Sequence, residues 1–176
     1  MLLDSASRGL VAWFWTTQRS AGQSILEVGR QSILTDSPSH FSKWTVAEFD
    51  GAVIGALNGY VVSESDKAGD HPDLPEALAP LLELDAFAVG TWYIWAVTVF
   101  PEHRGRGFGT ALLAEAENMA RRAGARQISL AVESANVGAV RFYRRHGFRD
   151  HARRPFLPFP GSTDEGDWLL MIKDIA

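Results

Sequence analysis

Apolar residues recur at helical intervals across residues 6–34, with Trp13, Phe14 and Trp15 clustered early, and the pattern predicts two helices broken near Ala21–Gly22. "KWTVAEFDGAVIGALNGYVV" follows, and its Asp50–Gly51 pair between strand-like runs predicts a hairpin. "TWYIWAVTVF" is rich in aromatic and β-branched residues and predicts a strand stopped by Pro101. Leu112, Leu113, Ala116, Met119 and Ala120 then repeat with the helical period, and Gly124 fits the cap that ends that helix. "RQISLAVE" predicts another strand, and Asn136 opens a second helix that closes at Gly147. "GFRDHARRPFLPFPG" reads as a Pro-rich loop leading to a last strand, "DWLLMIKDI". Residues 64–90 read as an inserted acidic loop with a short helix. A strand–loop–helix–strand–helix order set among hairpins implies a crossover with parallel neighbours, so the class expected is α+β.

At 176 residues the chain is expected to form a single domain, 1–176, large enough to bury its own core. Its longest apolar stretches are interrupted by Gly and Thr and fall short of a membrane span, and the first residues carry no basic region or cleavage site. With no cysteine, the chain fits a cytoplasmic location, and a disulfide, a thiolate metal site and a cysteine nucleophile are all excluded. The histidines show no metal-ligand spacing, so no metal is expected. A net charge of −4 argues against general nucleic-acid affinity. The charge is uneven, however: between Arg104 and Arg154 eleven arginines face four carboxylates. A basic block in an acidic chain points to a local polyanion site, or to solvated helix faces.

"PEHRGRGFGTALL" lies at the start of that block. A glycine-rich turn from strand to helix leaves main-chain N–H groups unpaired, and with the helix dipole behind them they suit phosphate oxygens. Gly105, Gly107 and Gly109 allow close approach, and Arg104 and Arg106 add charge at the rim. A P-loop is excluded because no lysine occurs between Lys67 and Lys173. A Rossmann fingerprint misses by one residue, since position 110 is Thr, although Glu133 ends the next strand where that fold keeps its ribose acid.

"VTVFPEHRGRGFGTALL" resembles the acetyl-coenzyme A signature of the GNAT superfamily of N-acetyltransferases, Arg/Gln-x-x-Gly-x-Gly/Ala, as Arg104-x-x-Gly107-x-Gly109. "ISLAVESANVGAVRFYRRHGF" resembles the same family's downstream run, so the likeness covers roughly residues 91–149. It implies a GNAT-like fold, a mixed and mostly antiparallel sheet flanked by helices, with a strand–Gly loop–helix cradle for acetyl-CoA as cosubstrate. The pantetheine arm would pair with the backbone of Val97, Thr98 and Val99, and the diphosphate would sit on the amides of Gly105, Arg106, Gly107, Phe108, Gly109 and Thr110.

Asn136 and Tyr143 are seven residues apart, within about 20° on a helix, so both can face one ligand; Asn136 equally suits a helix cap. By resemblance Tyr143 is the general acid for the departing thiolate and the Val97 N–H the oxyanion donor. Direct attack of a neutral amine in a ternary complex is expected, the zero-cysteine count excluding an acyl-cysteine route. Family members often carry a Glu on the strand before the signature; here Tyr93, Ile94 and Trp95 occupy that place. Glu133, Glu48 and Asp85 are the remaining base candidates, and an amine that deprotonates in bulk water needs none.

Seven carboxylates in 64–85 (Glu64, Asp66, Asp70, Asp73, Glu76, Glu83, Asp85) suggest either steering of a cationic amine or a solvated acidic loop. A small-molecule or peptide amine is the expected acceptor, with no nucleic acid, no membrane and a homodimer left open. The rivals are a CoA-binding regulator without catalysis and a Rossmann-type NAD(P) protein.

Overall fold

The computed structural model describes residues 7–37, 40–64, 74–162 and 165–175. Their elements, in chain order, are α1 (Leu10–Thr17), α2 (Ile25–Leu34), β1 (Trp44–Phe49), β2 (Ala52–Val61), α3 (Ala79–Asp85), β3 (Trp92–Val99), α4 (Phe108–Arg122), β4 (Gln127–Glu133), α5 (Val137–Arg145), β5 (Arg149–Pro155) and β6 (Asp167–Asp174). The strands form one mixed sheet in the order β1-β2-β3-β4-β6-β5. The fold is α+β, as expected, and the antiparallel β4–β6 and β6–β5 ladders rule out the parallel sheet of the Rossmann alternative. The described residues group into two compact units, one drawn from Met1–Gly59, Ala96–Ala116 and Phe159–Ser162, the other from Tyr60–Trp95, Glu117–Pro158 and Thr163–Ala176.

In the first unit the broken N-terminal helices form as predicted. Ser24 and Glu27 make a reciprocal capping box that starts α2, with Ser24 N–H donating to Glu27 at 2.7 Å. Gly29 lets α2 approach α1, since a Cβ there would lie 2.5 Å from the Trp15 ring. The hairpin turns at Asp50 (φ 51°) and Gly51 (φ 75°), the paired left-handed residues of a two-residue turn whose twist matches the strands. Gly55 on β2 is buried against β3; a Cβ there would lie 2.7 Å from the Thr98 carbonyl oxygen.

In the second unit β3 and β4 run parallel at Trp92↔Ile128 and Tyr93↔Ser129, confirming the crossover. Ser129, fully buried, is joined to Thr91 by a 2.5 Å hydroxyl–hydroxyl hydrogen bond, so each satisfies the other away from water. Gly124 (φ 76°) ends α4 as expected. The sequence reading is corrected at 149–155: the run read as loop is strand β5, paired with β6. As the last strand of the order it keeps its charged residues in water, and a register shift between Asp150 and Ala152 breaks the two-residue alternation that marks a strand. The acidic segment supplies α3, while Asp66, Asp70 and Asp73 lie outside the described residues.

Gly55→Ala is expected to destabilise the protein by about 1–3 kcal/mol, because the added methyl meets a rigid backbone carbonyl rather than a side chain that can swing away. Urea unfolding measures this, and an unchanged midpoint would show that β2 and β3 separate at no cost.

Candidate functional site

The strand that enters the glycine turn directs its backbone groups to two edges in alternation. Phe100 N–H donates to the Ile54 carbonyl at 2.9 Å, so Phe100 and Thr98 face β2. Val97 and Val99 therefore turn theirs to the other edge, where Arg104 Nε reaches the Val99 carbonyl at 3.0 Å. Val97 is half-buried, whereas Thr98 and Val99 are buried. Of the three strand residues expected to pair with an extended ligand, two present main-chain groups on the edge away from β2.

A short turn of helix at Pro101–His103 carries the chain out of the strand, and Arg104, with its side chain bent back on Val99, closes it. Gly105 (φ 74°) and Gly107 (φ 89°) then adopt backbone conformations that a side chain disfavours, and among the described residues nothing beyond the chain neighbours lies within 4 Å of where a Cβ would stand at either. Both glycines are thus dictated by conformation, and the space beside them is open. The first bond of α4 runs from Ala111 N–H to the Gly107 carbonyl at 3.1 Å. Phe108, Gly109 and Thr110 therefore form the first turn, whose amides have no acceptor within the helix. Arg106 stands between the two glycines. Its guanidinium lies 4.7 Å from the Phe49 ring centre and 5.4 Å from that of Phe108, and its Nη1 is 3.4 Å from His103 Nδ1. The rings of Phe49 and Phe108 are 5.3 Å apart. The two arginines have different tasks: Arg104 braces the turn, and Arg106 is a cation held on aromatic faces at its rim. Phe49 went unnoticed in the sequence because it precedes the hairpin turn, far along the chain from the loop it serves.

The second unit holds Glu133, Asn136 and Tyr143. Asn136 caps α5, its Oδ1 accepting from Ala139 N–H at 3.2 Å, so that oxygen is committed to the helix. Tyr143 packs edge-on to Phe142 (5.5 Å) and Phe148 (5.7 Å), and burial raises its phenol to about 12. It is a neutral hydroxyl throughout the physiological range. Glu133 ends β4 opposite Trp168 and is only 5% exposed. Tyr93 occupies the strand position where a carboxylate was sought. Burial first, then the nearby Asp85 carboxylate and Tyr60, hold its phenol well above the usual value, against a main-chain hydrogen bond with Ala131. Asp85 is half-buried at the end of α3, and Glu48 is exposed at the β1 bulge of the other unit. Glu83 is bound to Arg154.

Residues 9–148 match the model of the acetyltransferase (GNAT) family. An uncharacterized N-acetyltransferase of Methanocaldococcus jannaschii is 36% identical over 160 residues, covering 85% of this chain and 83% of that protein. Two other curated relatives match over shorter stretches, and the chain covers 31% and 50% of their lengths. Among solved structures, a ribosomal-protein-alanine N-acetyltransferase from Brucella melitensis superposes with a TM-score of 0.62 at 18% identity, over 98% of this chain and 88% of that one. A Bacillus anthracis structure in complex with acetyl coenzyme A superposes with a TM-score of 0.52 at 21% identity, over 74% of this chain and 61% of that one.

Phe49→Ala removes the larger share of the stack under the exposed Arg106 and is expected to weaken coenzyme A binding by about 0.5–1 kcal/mol, roughly two- to fivefold. Isothermal titration of the single and double variants with Arg106→Ala checks this: the Phe49 effect should vanish once Arg106 is gone.

Proposed function

Since the chain belongs to the acetyltransferase (GNAT) family, we propose that it transfers the acetyl group of acetyl-CoA to a primary amine by direct attack in a ternary complex. The observation that carries this reading is the turn at Gly105–Gly107, open on its Cβ side and running into the first turn of a fifteen-residue helix. The diphosphate of the cosubstrate takes the amides of Gly105 to Thr110, where several N–H donors and the positive end of the helix converge. Arg106 adds its charge at the rim. Amide groups of the pantetheine arm pair with Val97 and Val99, and the Arg104 side chain yields the Val99 carbonyl or shares it. Thr98 shapes the strand from its β2 side.

The reaction forms a C–N bond at the thioester carbonyl and breaks the C–S bond. The Val97 N–H, fixed by its strand, is the donor assigned to the oxyanion. Tyr143 is the acid assigned to the departing thiolate. A phenol raised to about 12 holds its proton through the approach, donates a hydrogen bond as charge grows on sulfur, and releases the proton only when the bond has broken. The attacking amine must be neutral, and Glu133, a carboxylate kept from solvent, is the base assigned.

Thr110→Glu tests the cradle without attacking the fold, because Thr110 is exposed in the first turn of α4, where an acidic residue favours the helix. Acetyl-CoA affinity should fall at least about 100-fold, near 2.7 kcal/mol, with thermal stability kept or raised. Normal affinity would disprove the phosphate assignment.

Tyr143→Phe should lower kcat by roughly 10²-fold or more with little change in acetyl-CoA affinity. Because the phenol's pKa is raised, its loss of a proton lies above pH 10, so no alkaline fall of the wild-type rate near pH 10 should trace to it. A pH profile of thiol release in both proteins measures this. Tight cosubstrate binding without thiol release for any amine would instead favour the regulator.

A further inference from the structure

Outside the cradle, the second unit carries a row of polar side chains that a packed core does not require. The registers align Glu133, Trp168 and Arg154 across β4, β6 and β5, and directly opposed residues project from the same face. Glu133 is 5% exposed and Trp168 6%, and the Trp168 indole Nε1 is buried with no hydrogen-bond acceptor among the described residues. A buried N–H left unpaired costs about 1–3 kcal/mol, so an oxygen that accepts from this donor is favoured. Arg154 is turned to α3, where it pairs with Glu83 and lies 5.2 Å from the Phe87 ring.

The next row on that face is Ala131, Leu170 and Ala152. Leu170 is fully buried, yet the two alanines keep partial exposure, so the floor beside the polar row consists of methyl groups. Tyr93, in register with Ser129, stands on the same face by the two-residue alternation, and its ring packs 6.1 Å from Tyr60 with the Asp85 carboxylate near its hydroxyl. A carboxylate, aromatic rings and one donor without an acceptor among the described residues thus share one face of the sheet. Aromatic faces and a desolvated carboxylate recognise an ammonium, and an orphan N–H recognises an oxygen.

We propose that this face is the acceptor subsite, and that it takes an aliphatic primary amine bearing a carbonyl or hydroxyl oxygen a few bonds away. The ammonium faces Glu133, and the oxygen accepts from Trp168 Nε1. The inference rests on the acetyltransfer reading but adds what that reading lacks, a class of acceptor.

Lysinamide, with an aliphatic ammonium and an amide oxygen, is the probe, and n-butylamine, without the oxygen, is its control. In the ¹H–¹⁵N spectrum of the whole protein, the Trp168 indole resonance, assigned by its loss in Trp168→Phe, should shift on titration with lysinamide and not with butylamine. By isothermal titration, Trp168→Phe should weaken lysinamide about five- to tenfold, the worth of one hydrogen bond, with acetyl-CoA affinity and unfolding midpoint retained. Glu133→Gln should weaken both amines. An indole resonance that lysinamide does not move, or equal lysinamide affinity in Trp168→Phe, would mean that the N–H serves an internal water only, and the proposal falls. These titrations need no cosubstrate, so their failure is separate from that of the acetyltransfer reading, which fails if the wild type does not bind acetyl-CoA.

Discussion

The glycine turn works because one arginine is spent on the protein itself. Arg104 binds the carbonyl of Val99, and so fixes the direction in which the chain leaves its strand. With that direction fixed, Gly105 and Gly107 can hold their left-handed conformations and α4 begins at Phe108, whose first turn has no acceptor within the helix. A phosphate-binding turn needs donors already oriented, since the cost of orienting them on binding would be subtracted from affinity. In the cradle proposed, the brace would supply that orientation from within the loop.

The second requirement is a proton donor that does not lose its proton early. In the reaction proposed, Tyr143 would meet it through packing: Phe142 and Phe148 crowd its ring, and burial makes the phenolate unfavourable. No cation beside it is needed for this role. The same logic, carried further, explains why Tyr93 can stand on a strand where a carboxylate was sought. A buried phenol near Asp85 remains neutral, whereas a second carboxylate there would repel the first.

Much of this was legible in the chain. Asp50–Gly51, Pro101, Gly124 and Gly147 are punctuation whose meaning is local, and each marks a boundary the structure keeps. The glycine loop was readable because its chemistry lies in the backbone and its spacing is contiguous. What escaped was set by contacts between distant segments. Strand β5 is polar because it lies at the edge of the sheet, and its bulge erases the alternation. Phe49 meets Arg106 only after the hairpin has folded, and Trp168 meets Glu133 only through the β4–β6 register. Asn136 was ambiguous between cap and ligand, and its carbonyl oxygen serves the cap.

Holding Arg106 on rings rather than on a carboxylate has a kinetic meaning. An acidic partner would cancel the guanidinium charge at a distance, whereas the quadrupole of a ring leaves almost all of it visible to an approaching anion. In a chain with a net charge of −4, that exposed cation offsets the general repulsion at the place where the proposed cradle would receive a highly anionic nucleotide. On the cradle proposed, the stack would therefore govern how quickly the nucleotide arrives and how strongly ionic strength slows it, as well as how long it stays.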